Sequence, residues 1–77
     1  MSRTTGDLGR TLERLLRTIT FIPVGQRRAV SSGRLTELLA EEGFQVSKRT
    51  VERDLVKVEN IAGVMRDEST KPHGWYR

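Results

Sequence analysis

Four cationic side chains, Lys48, Arg49, Arg53 and Lys57, fall within one ten-residue stretch. A guanidinium can form a bidentate pair with a guanine edge or a phosphate, whereas an ammonium acts as a point charge against a phosphate. The chemistry offered is recognition of a polyanion. Catalysis finds little support. His73 is the single histidine and lies between Pro72 and Gly74, where a surface role is commoner than a catalytic one. Without cysteine there is no Cys-based zinc site. Glu41-Glu42 and Asp67-Glu68 are adjacent pairs, and side chains adjacent in sequence point apart on a helix. The glycines follow no phosphate-loop pattern. An enzyme, a cofactor and a small-molecule ligand are therefore not expected.

The cations need an element to present them. Val51, Leu55 and Val58 recur at i, i+4 and i+7, one face of a helix. At ~100° per residue, Arg49, Arg53, Val56 and Lys57 fall on the opposite side, with Glu52 and Asp54 on the flanks nearer the apolar stripe. Asp54 is expected to orient an arginine or pair inside the domain. Ser47 is a suitable N-cap for this helix, which is predicted over 47–59 and ends near Asn60. Gly43 can stop the preceding helix in a left-handed conformation, and Phe44 and Val46 anchor the turn between them. Thr50 lies near the helix start, where side chains can touch both base edges and phosphates. The pattern is that of the turn and second helix of a helix-turn-helix, which suits the DNA major groove.

The chain has 77 residues, with 35% hydrophobic and 31% charged residues and a formal net charge of +4. That is the size of one small domain whose modest core needs efficient packing. A sequence pI near 10.3 favours an anionic partner. No apolar stretch approaches the ~18 residues of a membrane span, and the polar N-terminus lacks the apolar core of a signal peptide. Absence of cysteine is compatible with a reducing cytosol.

Residues 1–6 are expected to fray, with the domain over 7–77, and Thr5 to Asp7 offer capping groups. Leu8, Leu12, Leu15, Leu16 and Ile19 then follow a helical pattern. Arg10, Glu13, Arg14 and Arg17 lie off that stripe, as a solvated face with a Glu13–Arg17 pair at i, i+4; part of this helix's surface is also a candidate dimer contact. Pro23 and Gly25 break it. Arg27 and Arg28 follow in a basic loop within reach of a phosphate, and Ala29-Val30 suit a very short strand. Ser31 and Ser32 cap a second helix carrying Leu35, Leu38 and Leu39 and running to about Glu42. Its acids, Glu37, Glu41 and Glu42, disfavour lying flat on DNA. Its N-terminal end, with Ser31, Ser32, the Gly33 backbone and Arg34, offers donors to a phosphate. After a bend at Ile61 to Gly63, Val64-Met65-Arg66 and Gly74 to Arg77 read as a hairpin. Trp75 or Tyr76 packs on the helices, and Lys71 and His73 sit at or near the tip, where a wing can reach a phosphate or the minor groove, and both are expected DNA contacts.

The fold class is mainly α with a small β-hairpin, a winged helix-turn-helix of three helices and a C-terminal wing. In this order of elements, Val46-Ser47-Lys48-Arg49-Thr50-Val51-Glu52-Arg53-Asp54-Leu55, followed by Lys71-Pro72-His73-Gly74-Trp75-Tyr76, resembles the N-terminal domain of WYL-domain transcription regulators and, more distantly, DeoR-like repressors. The resemblance covers roughly residues 8 to 77. It implies that the second helix of the motif enters the major groove of double-stranded DNA, that Ser47, Lys48, Arg49, Thr50 and Arg53 make contacts, and that the hairpin is the wing. Lys57, Arg27, Arg28 and Lys71 are then expected on phosphates, without reading sequence. Transcriptional control, most often repression, follows from the same resemblance. Regulators of that family continue into a longer ligand-sensing and dimerising region, so the chain is expected to be an excised domain or a small stand-alone regulator of a phage or mobile element; ligand sensing does not carry over. A bacterial or phage-encoded, cytoplasmic and nucleoid-associated protein is expected. The small footprint of one module points to a homodimer on an inverted repeat. The alternative class is a winged-helix protein-interaction module. RNA is a weaker third, because its deep, narrow major groove excludes a helix.

Overall fold

The computed structural model describes residues 3–77, with side chains described from residue 9 onward. Residues 1–2 and the Leu8 side chain, both included in the expectations above, lie outside the described residues. Three helices, α1 (Arg3–Phe21), α2 (Ser32–Glu41) and α3 (Lys48–Val58), combine with strands β1 (Val30–Ser31), β2 (Met65–Asp67) and β3 (Gly74–Tyr76). A 3-10 turn over Gln26–Arg28 precedes β1. The sheet is antiparallel in the order β1-β3-β2, and the whole is the arrangement of a winged helix-turn-helix. No helix among the described residues is long and apolar enough to cross a membrane.

The core is built from Ile22 of the α1 end, Leu35 and Leu39 of α2, Phe44 of the turn, Val51, Leu55 and Val58 of α3, and Val64 and Trp75 of the wing. Leu15, Ile19, Phe21, Val30 and Val46 pack against it. The predicted α3 stripe is therefore the buried one. The α2 end is a double closure: Gly43 N–H donates to Ala40 O at 3.0 Å and Phe44 N–H to Leu39 O at 2.9 Å. Gly43 takes φ +90°, a conformation a side chain would strain. Phe44 and Leu39 then meet in the core, which is the apolar contact that accompanies this motif.

α1 departs from expectation in three ways. It begins at Arg3, so Thr5 to Asp7 lie within its opening turns, their side chains outside the described residues. Second, the expected stripe divides, with Leu15 and Ile19 packed against the core. Thr18 and Ile22 are fully buried, while Leu12 and Leu16 are 53% and 58% exposed. Third, its charged face is not simply solvated. Arg14 turns inward and grips Asp54 through Nε–Oδ2 at 2.7 Å and Nη2–Oδ1 at 3.3 Å. Arg10 lies over the Phe44 ring, 4.2 Å from its centroid, and donates to Gly43 O. Arg17 pairs with Glu42 at 3.4 Å, replacing the expected Glu13–Arg17 pair. The reason is common to all three: their partners lie on α3 or at the end of α2, so the arginines lace α1 across the helix-turn-helix.

β3 is the middle strand. It pairs Trp75 with both Val30 and Arg66, and Gly74 with both Ser31 and Asp67. A Cβ on Gly74 would lie 2.8 Å from Ala29 Cβ, so only glycine lets the wing close on the segment leading into α2. Beyond β3, Arg77 N–H donates to Pro23 O, Gly25 N–H to Arg77 O, and Arg77 Nε to Ile22 O. The chain end is thereby tied to the exit of α1.

Asp54 is 1% exposed and the Arg14 side chain 17%, so each depends on the other for compensation. Asp54→Ala or Arg14→Ala should each lower the unfolding free energy by ~3 kcal/mol. The double variant should lose clearly less than their sum. Urea unfolding followed by Trp75 fluorescence measures this; additive losses would show that the two side chains act independently.

Candidate nucleic-acid interface

Ser47 starts α3 as its N-cap, accepting from Thr50 N–H at 3.2 Å. The Thr50 hydroxyl lies 3.2 Å from the same Ser47 oxygen, and Thr50 is half-buried. These two residues therefore serve the cap first, with the exposed Ser47 hydroxyl at the mouth of the helix. No acid occupies the first turn of α3, so its free N–H groups keep their positive end facing outward.

Along α3, Val51, Asp54, Leu55 and Val58 are buried, while Lys48, Arg49, Glu52, Arg53, Val56 and Lys57 are exposed. The outward wall thus holds four cations and one carboxylate. Asp54, the second acid of the segment, is withdrawn to Arg14. Among the described residues, the salt bridges involve Arg14, Arg17, Arg34 and Arg66; none engages Lys48, Arg49, Arg53 or Lys57. Their charges are uncommitted, and α3 spans ~16 Å at 1.5 Å per residue, a length suited to a groove ~12 Å wide.

α2 meets this wall through its start. Ser31 is the N-cap and accepts from Arg34 N–H at 3.1 Å. Ser32, expected as a phosphate contact, is instead 3% exposed, and its hydroxyl donates to Glu52 Oε2 at 3.2 Å. The burial follows from its place as first residue of α2, turned toward α3. Glu52 is exposed on the α3 wall, yet its carboxylate leans to α2 and ties the two helices of the motif together. Arg34 is exposed and pairs with Glu37 at 3.1 Å, an exposed pair of little strength that a phosphate can displace. Arg27 and Arg28 are exposed on the 3-10 turn next to β1.

The wing loop opens with a hydrogen-bonded turn, in which Ser69 donates both its N–H and its hydroxyl to Asp67. Lys71 is exposed in the loop, whereas His73 is half-buried nearer its base. Trp75 is buried in the core and Arg66 covers its ring at 5.0 Å while donating to Glu59 at 2.9 Å. No family model matches this chain, nor does any curated protein or solved structure.

The expected contact residues thus divide. Lys48, Arg49, Arg53 and Lys57 share one outward wall; Ser31 and Arg34 stand at the start of α2; Lys71 is on the wing; Arg27 and Arg28 lie on the turn before β1. Ser32 is withdrawn. Three residues with positioning roles, Arg10, Arg14 and Glu52, were assigned none from the sequence, because each partner is distant in the chain and nothing in local spacing marks it.

The Asp67 carboxyl is held below its ordinary value of 3.8, first by the Ser69 hydroxyl and then by the Ser69 backbone N–H. A depressed folded value means the loop gains stability that is complete above the ordinary value and lost as pH falls through the lower one. Amide exchange at Ser69 should therefore stay protected at pH 5 and accelerate under strong acid, ahead of global unfolding. Protection unchanged in Asp67→Asn across that range would contradict this role.

Proposed function

We propose that this chain binds double-stranded DNA with sequence preference and acts as a transcription regulator, most simply a repressor, by laying α3 in the major groove. The observation that carries this reading is the uncommitted cationic wall of α3 standing opposite its buried face. Arg49 and Arg53 are the base readers, and a bidentate arginine–guanine pair is worth ~1–3 kcal/mol of discrimination. Lys48 lies at the helix mouth, within reach of base edges or phosphates. Lys57, Arg27, Arg28 and Lys71 neutralise phosphates, and the N-terminal end of α2 with Ser31 and Arg34 takes another. The resemblance to the DNA-binding domain of WYL-type regulators points the same way. One module buries only ~600–1,000 Å² on DNA, so a pair of copies on an inverted repeat, one helical turn or a multiple apart, is the arrangement that supplies useful specificity.

A second reading, docking to another protein, is favoured by one observation: Leu12 and Leu16 stand exposed one turn apart on α1. The two readings separate on salt. DNA binding through α3 should weaken steeply as salt rises, whereas apolar docking through α1 should not.

The direct test is selection of bound duplexes from a random pool, followed by titration across a salt series. Arg49→Ala and Arg53→Ala should erase discrimination between the selected duplex and a scrambled one while leaving the thermal unfolding transition in place. Lys57→Ala should weaken both duplexes alike and reduce the salt slope by ~1. Undiminished discrimination in both arginine variants would reject the assignment of the readers.

A further inference from the structure

Val56 is 59% exposed in the midst of the α3 cations. It continues the line of Arg49 and Arg53 at i+7 and i+3, with Lys57 as its neighbour. An apolar side chain there gives nothing to a phosphate, and helix propensity does not favour it, because valine is a weaker helix former than lysine or alanine. Its β-branched side chain is held in essentially one rotamer in a helix, so its methyl groups point outward in a fixed direction. In the major groove the base edges present donors and acceptors, and the apolar feature among them is the C5-methyl group of thymine.

We infer that Val56 reads a thymine methyl, making the recognised site one that carries thymine beside the base contacted by Arg53. This rests on the DNA-binding reading above and names the sequence class of that same site. The spacing fits. Val56 lies three residues beyond Arg53, ~4.5 Å along the helix axis, against a separation of ~3.4 Å between successive base pairs. The pair is specific in chemistry: arginine fixes a guanine by hydrogen bonds, and valine excludes water from the neighbouring methyl. Cytosine at that place would set a polar amino group against the valine and leave it without a partner.

Uracil tests this cleanly, because it differs from thymine in the major groove by the methyl alone. Each thymine of a duplex selected by the unaltered chain is replaced in turn by uracil, and affinity is measured for the unaltered chain and for Val56→Ala. Val56 is exposed, so the alanine variant keeps its fold, which its thermal transition verifies. One thymine should stand out, its replacement weakening binding about fourfold, the equivalent of ~0.8 kcal/mol for one buried methyl-sized group. In Val56→Ala the same replacement should cost less than about 1.5-fold, while Arg53→Ala should retain the thymine effect in whatever binding remains. Site-selective binding with no uracil-sensitive position, or equal sensitivity in Val56→Ala, would overturn the inference and leave the DNA-binding reading standing. Failure to bind any duplex at low salt would overturn that reading and this inference together.

Discussion

A carboxylate in the inner face of α3 constrains everything around it. Asp54 lies among Val51, Leu55 and Val58 and is sealed from water. Such a group is costly unless a cation reaches it with good geometry. Arg14 does so with two nitrogens on two oxygens, and its own carbonyl accepts from the buried Thr18 hydroxyl at 2.9 Å. A buried ion pair of this kind is a poor source of net stability but a good source of register. Turning α3 by one residue so that Asp54 took the outward place of Arg53 would strip its carboxylate from Arg14. The pair therefore fixes which side of α3 faces outward, and with it the direction of Arg49, Arg53 and Lys57.

The remaining contacts hold that orientation from the other sides. Glu52 reaches Ser32, so the start of α2 is tied to the middle of α3. Arg10 closes over the turn at Gly43 and Phe44. The wing is joined to β1 through Gly74, where a larger residue would collide with Ala29, and β1 runs directly into the N-cap of α2. One short sheet thus links Lys71, the α2 start and the 3-10 turn carrying Arg27 and Arg28. The polar contacts that build this frame are made by side chains other than the α3 cations, which leaves those cations available.

Local features were legible in the sequence because their physics is local. Ser47 and Ser31 are caps, Gly43 ends a helix, Val51, Leu55 and Val58 are buried, and the segment around Trp75 returns as a strand. These follow from capping, backbone freedom and periodicity. What escaped were pairings over long separation. Arg14 looks like any surface arginine until Asp54, forty residues away, is brought beside it. Ser32 and Ser31 are indistinguishable as caps, and only the packing of α2 on α3 decides that one is buried. The α1 pattern misleads in part, since Leu12 and Leu16 are exposed while Leu15 packs inward. The inward line runs through Leu15, Ile19 and Ile22 and takes in Thr18 and Arg14, which hydrophobicity alone does not mark. Among the candidate contacts, the α3 cations were visible from spacing, whereas Glu52 as a helix-to-helix tie was not.

On the proposed reading, the outward wall of α3 enters the groove of duplex DNA, with the start of α2 and the wing at its margins and the exposed leucine side of α1 turned away. Amide chemical shifts recorded during titration with a selected duplex test it most directly. The largest changes should fall over residues 47–57, with smaller ones at the start of α2 and near Lys71, and little change along the exposed Leu12–Leu16 side of α1. Changes concentrated on Leu12 and Leu16, with the amides of Arg49 and Arg53 unmoved, would contradict it.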